Sequence, residues 1–272
     1  MRDRFVIVSG TIGFFFALCW YFIDFLLLWL EDPLPERFKH LTFISPAEPF
    51  FTTMHVALMG SLFISMPVIL YHAWEFIAPG LKVKEKKITL LFVLFGTAFF
   101  LIGGAFCYFL ILPLGLNFLL LFGTNYWKME VTIGLYLDFV VKLILAFAFA
   151  FQTPLIMVLL TKFGVINTVK MRLYRKWAFL GAFIVAAVLT PPDVVTQTSL
   201  ALPLYGLYEF GVVASMLVED PKRRAEVIQE IMAEREARKA KKAAADAAAE
   251  AAAKKFKQAP KKDPGKETKK SA

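Results

Sequence analysis

The chain has 272 residues, of which 58% are hydrophobic and only 19% charged, with a mean hydropathy of +0.60. That mix excludes an ordinary soluble domain and describes an integral membrane protein. The formal net charge of +9 divides between loops on one side of the membrane and the C-terminal tail, which excludes reading it as a nucleic-acid-binding surface.

Apolar stretches of about 18 residues or more, enough to cross roughly 30 Å of hydrocarbon, recur as far as Leu217 and then stop. The sequence predicts an all-α polytopic domain over 1–218, with six spans at 5–30, 50–78, 88–112, 136–162, 177–190 and 194–218. They are helices because lipid forces each segment to satisfy its own backbone, and no strand-like alternation is present.

The opening "MRDR" and the first run resemble a secretory leader, but the run is long and has no small-residue cleavage site, so it is read as a retained span. An outer loop, 31–49, is stiffened by prolines at 33, 35, 46 and 49. The second run ends in a basic turn containing Lys82, Lys84, Glu85, Lys86 and Lys87. A second outer loop, 117–135, places Tyr126 and Trp127 as interfacial anchors. On the fourth run Asp138 and Lys142 share a helix face and neutralise each other. Gln152, farther along, is a neutral amide at mid-membrane, suited either to a polar concave face or to helix-to-helix adhesion.

The fifth run is about 20 Å long at roughly 1.5 Å per residue, short of a core of about 30 Å. "TPPDVVTQ" at 190–197 follows it. Pro191 and Pro192 stop the helix, and Asp193 is free to cap the next one. So short a span sinks the outer turn or thins the bilayer around it. Thr190 and Gln197 border the turn, available either to receive a polar residue from another helix or to cap the turn locally.

Arg2, Arg4, Lys82, Lys84, Lys86, Lys87, Lys162, Lys170, Arg172, Arg175 and Lys176 occupy one side, against Arg37, Lys39 and Lys128 on the other. The first side is cytoplasmic, and an even number of spans puts both termini there. The tail, 219–272, turns abruptly to Ala, Lys, Glu and Arg, and reads as an exposed helix that frays after Pro260. Cys19 and Cys107 fall within spans as small apolar fillers. His55 and His72 stand about 25 Å apart on one helix, and His40 lies in an outer loop, so no metal, haem or other cofactor is expected.

Three stretches carry a family resemblance: "FISPAEPFF" (43–51) leading into "PVILYHAWEFIAPGLKVKEKK" (67–87), "FAFQTPLIMVLL" (149–160), and "AAVLTPPDVVTQTSLALPLYGLYEFGV" (186–212). In order and spacing they resemble the TatC family, the signal-receptor subunit of the twin-arginine protein translocase. The resemblance implies a concave, glove-like bundle of six helices in the bacterial inner membrane and no enzymatic activity. It also implies capture of paired arginines in signal peptides of folded cargo, assembly with the single-span proteins TatA and TatB and with further copies of itself, and dependence on the proton-motive force.

Glu85 matches the family's glutamate in the turn after "PGL", and a carboxylate accepts a bidentate guanidinium fork that lysine cannot reproduce. By spacing alone it reads as a solvated acid among lysines. Arg2 aligns with the end of the family's N-terminal Glu-Leu-Arg pattern, whose glutamate would precede residue 1. The expectation is that the native start lies upstream; otherwise the cleft manages with Glu85 and Asp3. Thr190 and Gln197 fall where the family places its TatA and TatB contacts, while Pro46, Glu48, Pro79, Gly80, Pro191, Pro192 and Asp193 carry the loop motifs. A solute transporter would need several ionisable groups converging at mid-membrane, and an intramembrane hydrolase a catalytic motif; neither pattern is found.

Overall fold

The computed structural model describes residues 2–38, 41–77, 86–121, 130–190 and 193–258. They form α1 (Arg2–Tyr21), α2 (Ile23–Glu31), α3 (Glu48–Ile77), α4 (Lys86–Phe106), α5 (Leu112–Leu121), α6 (Ile133–Ala150), α7 (Gln152–Lys162), α8 (Thr168–Leu173), α9 (Arg175–Leu189), α10 (Val194–Val218) and α11 (Pro221–Gln258). Among the described residues the only β-pairing is an isolated bridge between Thr42 and Thr132.

Among the described residues five stretches are long and apolar enough to cross a membrane: Arg4–Tyr21, Glu48–Glu75, Leu90–Leu120, Ile133–Lys162 and Val194–Val218. The remaining expected span is α9, whose 15 residues reach about 22 Å at roughly 1.5 Å each.

Helix boundaries depart from expectation where the backbone bends. The first run splits at Phe22, at φ −100° and ψ 24°, yet hydrogen bonds bracket the bend, from Phe22 N–H to Leu18 O at 3.1 Å and from Leu26 N–H to Phe22 O at 3.3 Å. The third run continues to Leu121 instead of ending near 112, crossing a π turn at Cys107–Ile111. Pro113 explains that turn. Its ring would strike the carbonyl of Phe109 in a regular α-helix, and widening the preceding turn relieves the clash. Pro154 acts likewise on the fourth run, which breaks at Phe151 so that the proline falls in the first turn of α7.

The main core gathers α2, the π turn, α5, α6, α9 and α10, with Leu112, Leu137, Val140, Phe147 and Ala201 fully buried. The last carbonyls of α2 lack partners within their own helix. Tyr108 supplies one, its hydroxyl donating to Trp29 O at 2.7 Å, and Tyr136 another, donating to Leu30 O at 2.9 Å. Trp29 and Tyr108 also stack, with centroids 4.1 Å apart.

The chain divides into two units, Met1–Glu219 and Asp220–Ala272. The described part of the second is α11, a 38-residue helix rich in Ala, Lys, Glu and Arg.

Candidate functional site

At one end of the bundle the start of α1 meets the end of α3. Arg4 Nη2 stands 3.3 Å from Glu75 Oε1, and His72 Nδ1 stands 3.6 Å from Glu75 Oε2. An acid in the last turn of a helix faces the partial negative charge of the free carbonyls, and the last turn of α3 contains no basic residue to offset it. The compensating cation therefore comes from α1. Glu85, Pro79 and Gly80, which follow α3 in the sequence, lie outside the described residues, as does the side chain of Arg2, which opens α1.

The hairpin of α9 and α10 is tied along its length. At its tip Asp193 caps α10, accepting from Thr196 N–H at 2.7 Å and from the Thr196 hydroxyl. Thr190 is buried and donates to Ala186 O at 2.8 Å, one turn back in α9. Gln197 Nε2 donates across the hairpin to Phe183 O at 3.2 Å. Pro191 and Pro192 lie outside the described residues. At the base, Arg175 pairs with Glu209 at 2.6 Å, and Tyr205 donates to the same carboxylate at 2.7 Å. Glu219 receives both the backbone N–H and the hydroxyl of Thr168, capping α8. A groove of about 260 Å³ runs beside the tip, lined by Thr190, Thr196 and Ser199 opposite Phe118 and Phe139.

At mid-bundle Gln152 is buried and its amide donates to Gly96 O at 3.0 Å, linking α7 to α4. A Cβ on Gly96 would stand 2.9 Å from Leu70 Cδ1, so the helices meet over a residue without a side chain. Gln152 acts here as an interhelical link.

At the opposite end a single acid organises two loops. Glu48 Oε2 accepts from Ile44 N–H at 2.8 Å and Ser45 N–H at 3.4 Å, while its Oε1 accepts from Gly134 N–H at 3.0 Å. Beside it Thr42 N–H donates to Val131 O at 3.0 Å and Ile133 N–H to Thr42 O at 2.9 Å. Pro46 sits exposed in the turn just ahead of α3. Lys142 pairs with Asp138 in a neighbouring cleft of about 430 Å³ that His55 also lines.

Residues 1–203 match the family model described as the Sec-independent protein translocase protein TatC. The chain belongs to the TatC family. It is 37% identical over 223 residues to the TatC protein of Helicobacter pylori strain ATCC 700392, covering 82% of this chain and 87% of the relative. Against the Escherichia coli K12 protein the identity is 39% over 190 residues, covering 70% and 74% of the two chains. A crystal structure described as the twin-arginine translocase receptor TatC superposes with a TM-score of 0.72 at 33% identity, covering 80% of this chain and 96% of that one. A second, in the detergent DDM, gives 0.73 at 33% identity, covering 79% of this chain and 96% of that one.

This TatC-family chain is therefore a multi-pass, all-helical component of a Sec-independent protein translocase, a transport protein and not an enzyme. Sequence reasoning missed Gly134 and the two tyrosine caps. Their partners lie 86, 79 and 106 residues away, and only the bulky tyrosines inside apolar runs hinted at buried hydroxyls needing acceptors.

Proposed function

We propose that this chain is the receptor component of the translocase, capturing the Arg-Arg pair of signal peptides on folded precursors at its cytoplasmic face. The observation that carries this reading is the 33% identity over 80% of the chain to a structure described as a twin-arginine translocase receptor. Glu85, in the lysine-rich sequence that follows α3, is the acid that grips a guanidinium, and Arg2 is a second residue of the site. The membrane domain, 1–218, crosses the bacterial inner membrane six times with both termini cytoplasmic, and 219–272 is a solvated tail.

Single-span partners of the TatA and TatB type dock along α9 and α10, and transport draws on the proton-motive force. The groove beside the hairpin tip supports this placement. Thr190 spends its hydroxyl donor and Gln197 one of its two amide donors within the hairpin, so a partner's polar group is met by their acceptor oxygens or by the second amide N–H of Gln197.

Purified full-length protein in detergent, offered a labelled signal peptide with Arg-Arg, retains it and releases the same peptide carrying Lys-Lys. Equal retention of the two peptides overturns the receptor reading. A photocrosslinker at Gln197 reaches a single-span partner in native membranes, and a lack of adduct where such partners are abundant overturns the docking assignment.

A further inference from the structure

The cleft that holds Asp138 and Lys142 does not end where its charges end. Val56, Met59 and Val141 of its lining also line a second cavity, of about 240 Å³, which continues between α2, α3, α4 and α6 past Trp29, Phe63 and Ile144. No charged side chain lines this second cavity. Phe109 and Leu101 on its wall are 72% and 50% exposed, so it opens to the surroundings of the bundle, which at this depth are lipid chains. We infer that the joined cavities bind one phospholipid, with the zwitterionic headgroup of a phosphatidylethanolamine in the charged mouth and an acyl chain in the apolar branch. A mostly apolar concavity with a few placed polar groups is the usual form of a small-molecule site.

The charges of the mouth fit that headgroup. Lys142 stands nine residues into α6, about 13 Å from its start at roughly 1.5 Å per residue. An ionisable group within a span faces a partner or a polar ligand, and Asp138 is a partner for only part of this one. The two side chains remain 64% and 39% exposed, and the ammonium spends one of its three donors on Asp138 Oδ2. Asp138 Oδ1 faces His55 Nδ1 at 3.9 Å, outside hydrogen-bond distance. Among the described residues the mouth therefore offers spare donors on a cation beside a spare acceptor on an anion. A lipid phosphate takes the first and an ethanolamine ammonium the second, both as charge-assisted hydrogen bonds.

The same groups select against other headgroups. Glu48 also lines the mouth, but its oxygens are held by Ile44, Ser45 and Gly134. With Asp138 and Glu48 set against Lys142 and His55, the mouth has no surplus positive charge for an anionic lipid, whether or not His55 holds a proton. Phosphatidylcholine has the right charges, but its methylated ammonium has no N–H to donate to Asp138.

Purified full-length protein in detergent is titrated with phosphatidylethanolamine brominated on its acyl chains. Quenching of Trp29, taken as the difference from W29F, reads occupancy of the apolar branch. Phosphatidylcholine and phosphatidylglycerol with the same chains are titrated beside it, and phosphoethanolamine without chains is added as a competitor. Phosphatidylethanolamine binds about tenfold more tightly than phosphatidylcholine, the gain of one charge-assisted hydrogen bond. K142Q weakens both by about tenfold, D138N removes the margin between them, and A105F, which narrows the apolar branch away from the charges, weakens all three lipids alike. Phosphoethanolamine does not compete, because it leaves the apolar branch empty.

Equal binding of phosphatidylethanolamine and phosphatidylcholine by the unaltered chain overturns the inference, as does quenching that survives K142Q and D138N unchanged. Parallel loss of both lipids in D138N overturns the selectivity, and competition by phosphoethanolamine overturns the role of the chain. A photocrosslinker at Phe109 that joins to another protein and not to lipid in native membranes makes the groove a helix-docking surface instead. None of these results touches the receptor reading.

Discussion

The carboxylate of Glu48 accepts the backbone N–H of Gly134 at 3.0 Å across 86 residues of chain. Two loops that enter the bundle from different spans are thereby joined by one side chain. A Cβ at position 134 would lie 2.6 Å from Glu48 Oε1. Gly134→Ala therefore pushes the carboxylate out of its cradle and lowers thermal stability in detergent, by about 1–3 kcal/mol as overpacking usually does. Glu48→Gln keeps the shape and part of the acceptor set, and so unfolds between the unaltered chain and Glu48→Ala.

The tyrosine caps of α2 make a second prediction. Both Tyr108 and Tyr136 are 4% exposed, so Phe at either position leaves a carbonyl of α2 short of a donor in an apolar setting, at about 1–3 kcal/mol. Loss of stability in a thermal denaturation series checks this. The double variant departs from additivity because both hydroxyls serve adjacent carbonyls, of Trp29 and Leu30.

At the hairpin tip, Asp193→Ala removes the acceptor for Thr196 N–H and destabilises α10 by about 1 kcal/mol, whereas Asp193→Asn retains the cap. Amide hydrogen exchange over the first turn of α10 reads the difference directly. Equal protection in the two variants contradicts the capping role.

Gln152→Leu removes the bond to Gly96 O but keeps the packing, and costs about 0.5–1.5 kcal/mol. Signal-peptide binding by this variant is expected to equal that of the unaltered chain, since the buried amide links α7 to α4. Selective loss of peptide affinity with unchanged stability would place Gln152 on the receptor surface instead.

How much of this was legible beforehand follows from the reach of each signal. Membrane spans are written in windows of many residues, so apolar runs and the Lys/Arg asymmetry are readable without any tertiary knowledge. Asp138 and Lys142 are legible for the same reason, because helical periodicity alone brings them together. Pro113 was visible inside an apolar run, but whether a helix answers a proline by ending or by a π turn depends on what packs beyond it, and here the helix continues to Leu121. The pairing of Arg4 with Glu75 had no local mark, because it needs the antiparallel packing of α1 on α3, which also brings the Trp20 and Phe50 rings to 6.1 Å.

The ties at the far end of α2 carry a mechanical consequence. Its carbonyls are held by hydroxyls from the π turn and α6, and Glu48 ties the start of α3 to the start of α6, so the described residues at that end are cross-linked by side chains. A load applied to these loops is therefore passed on to α3 and α6 as well as α2. The three elements move there as one piece.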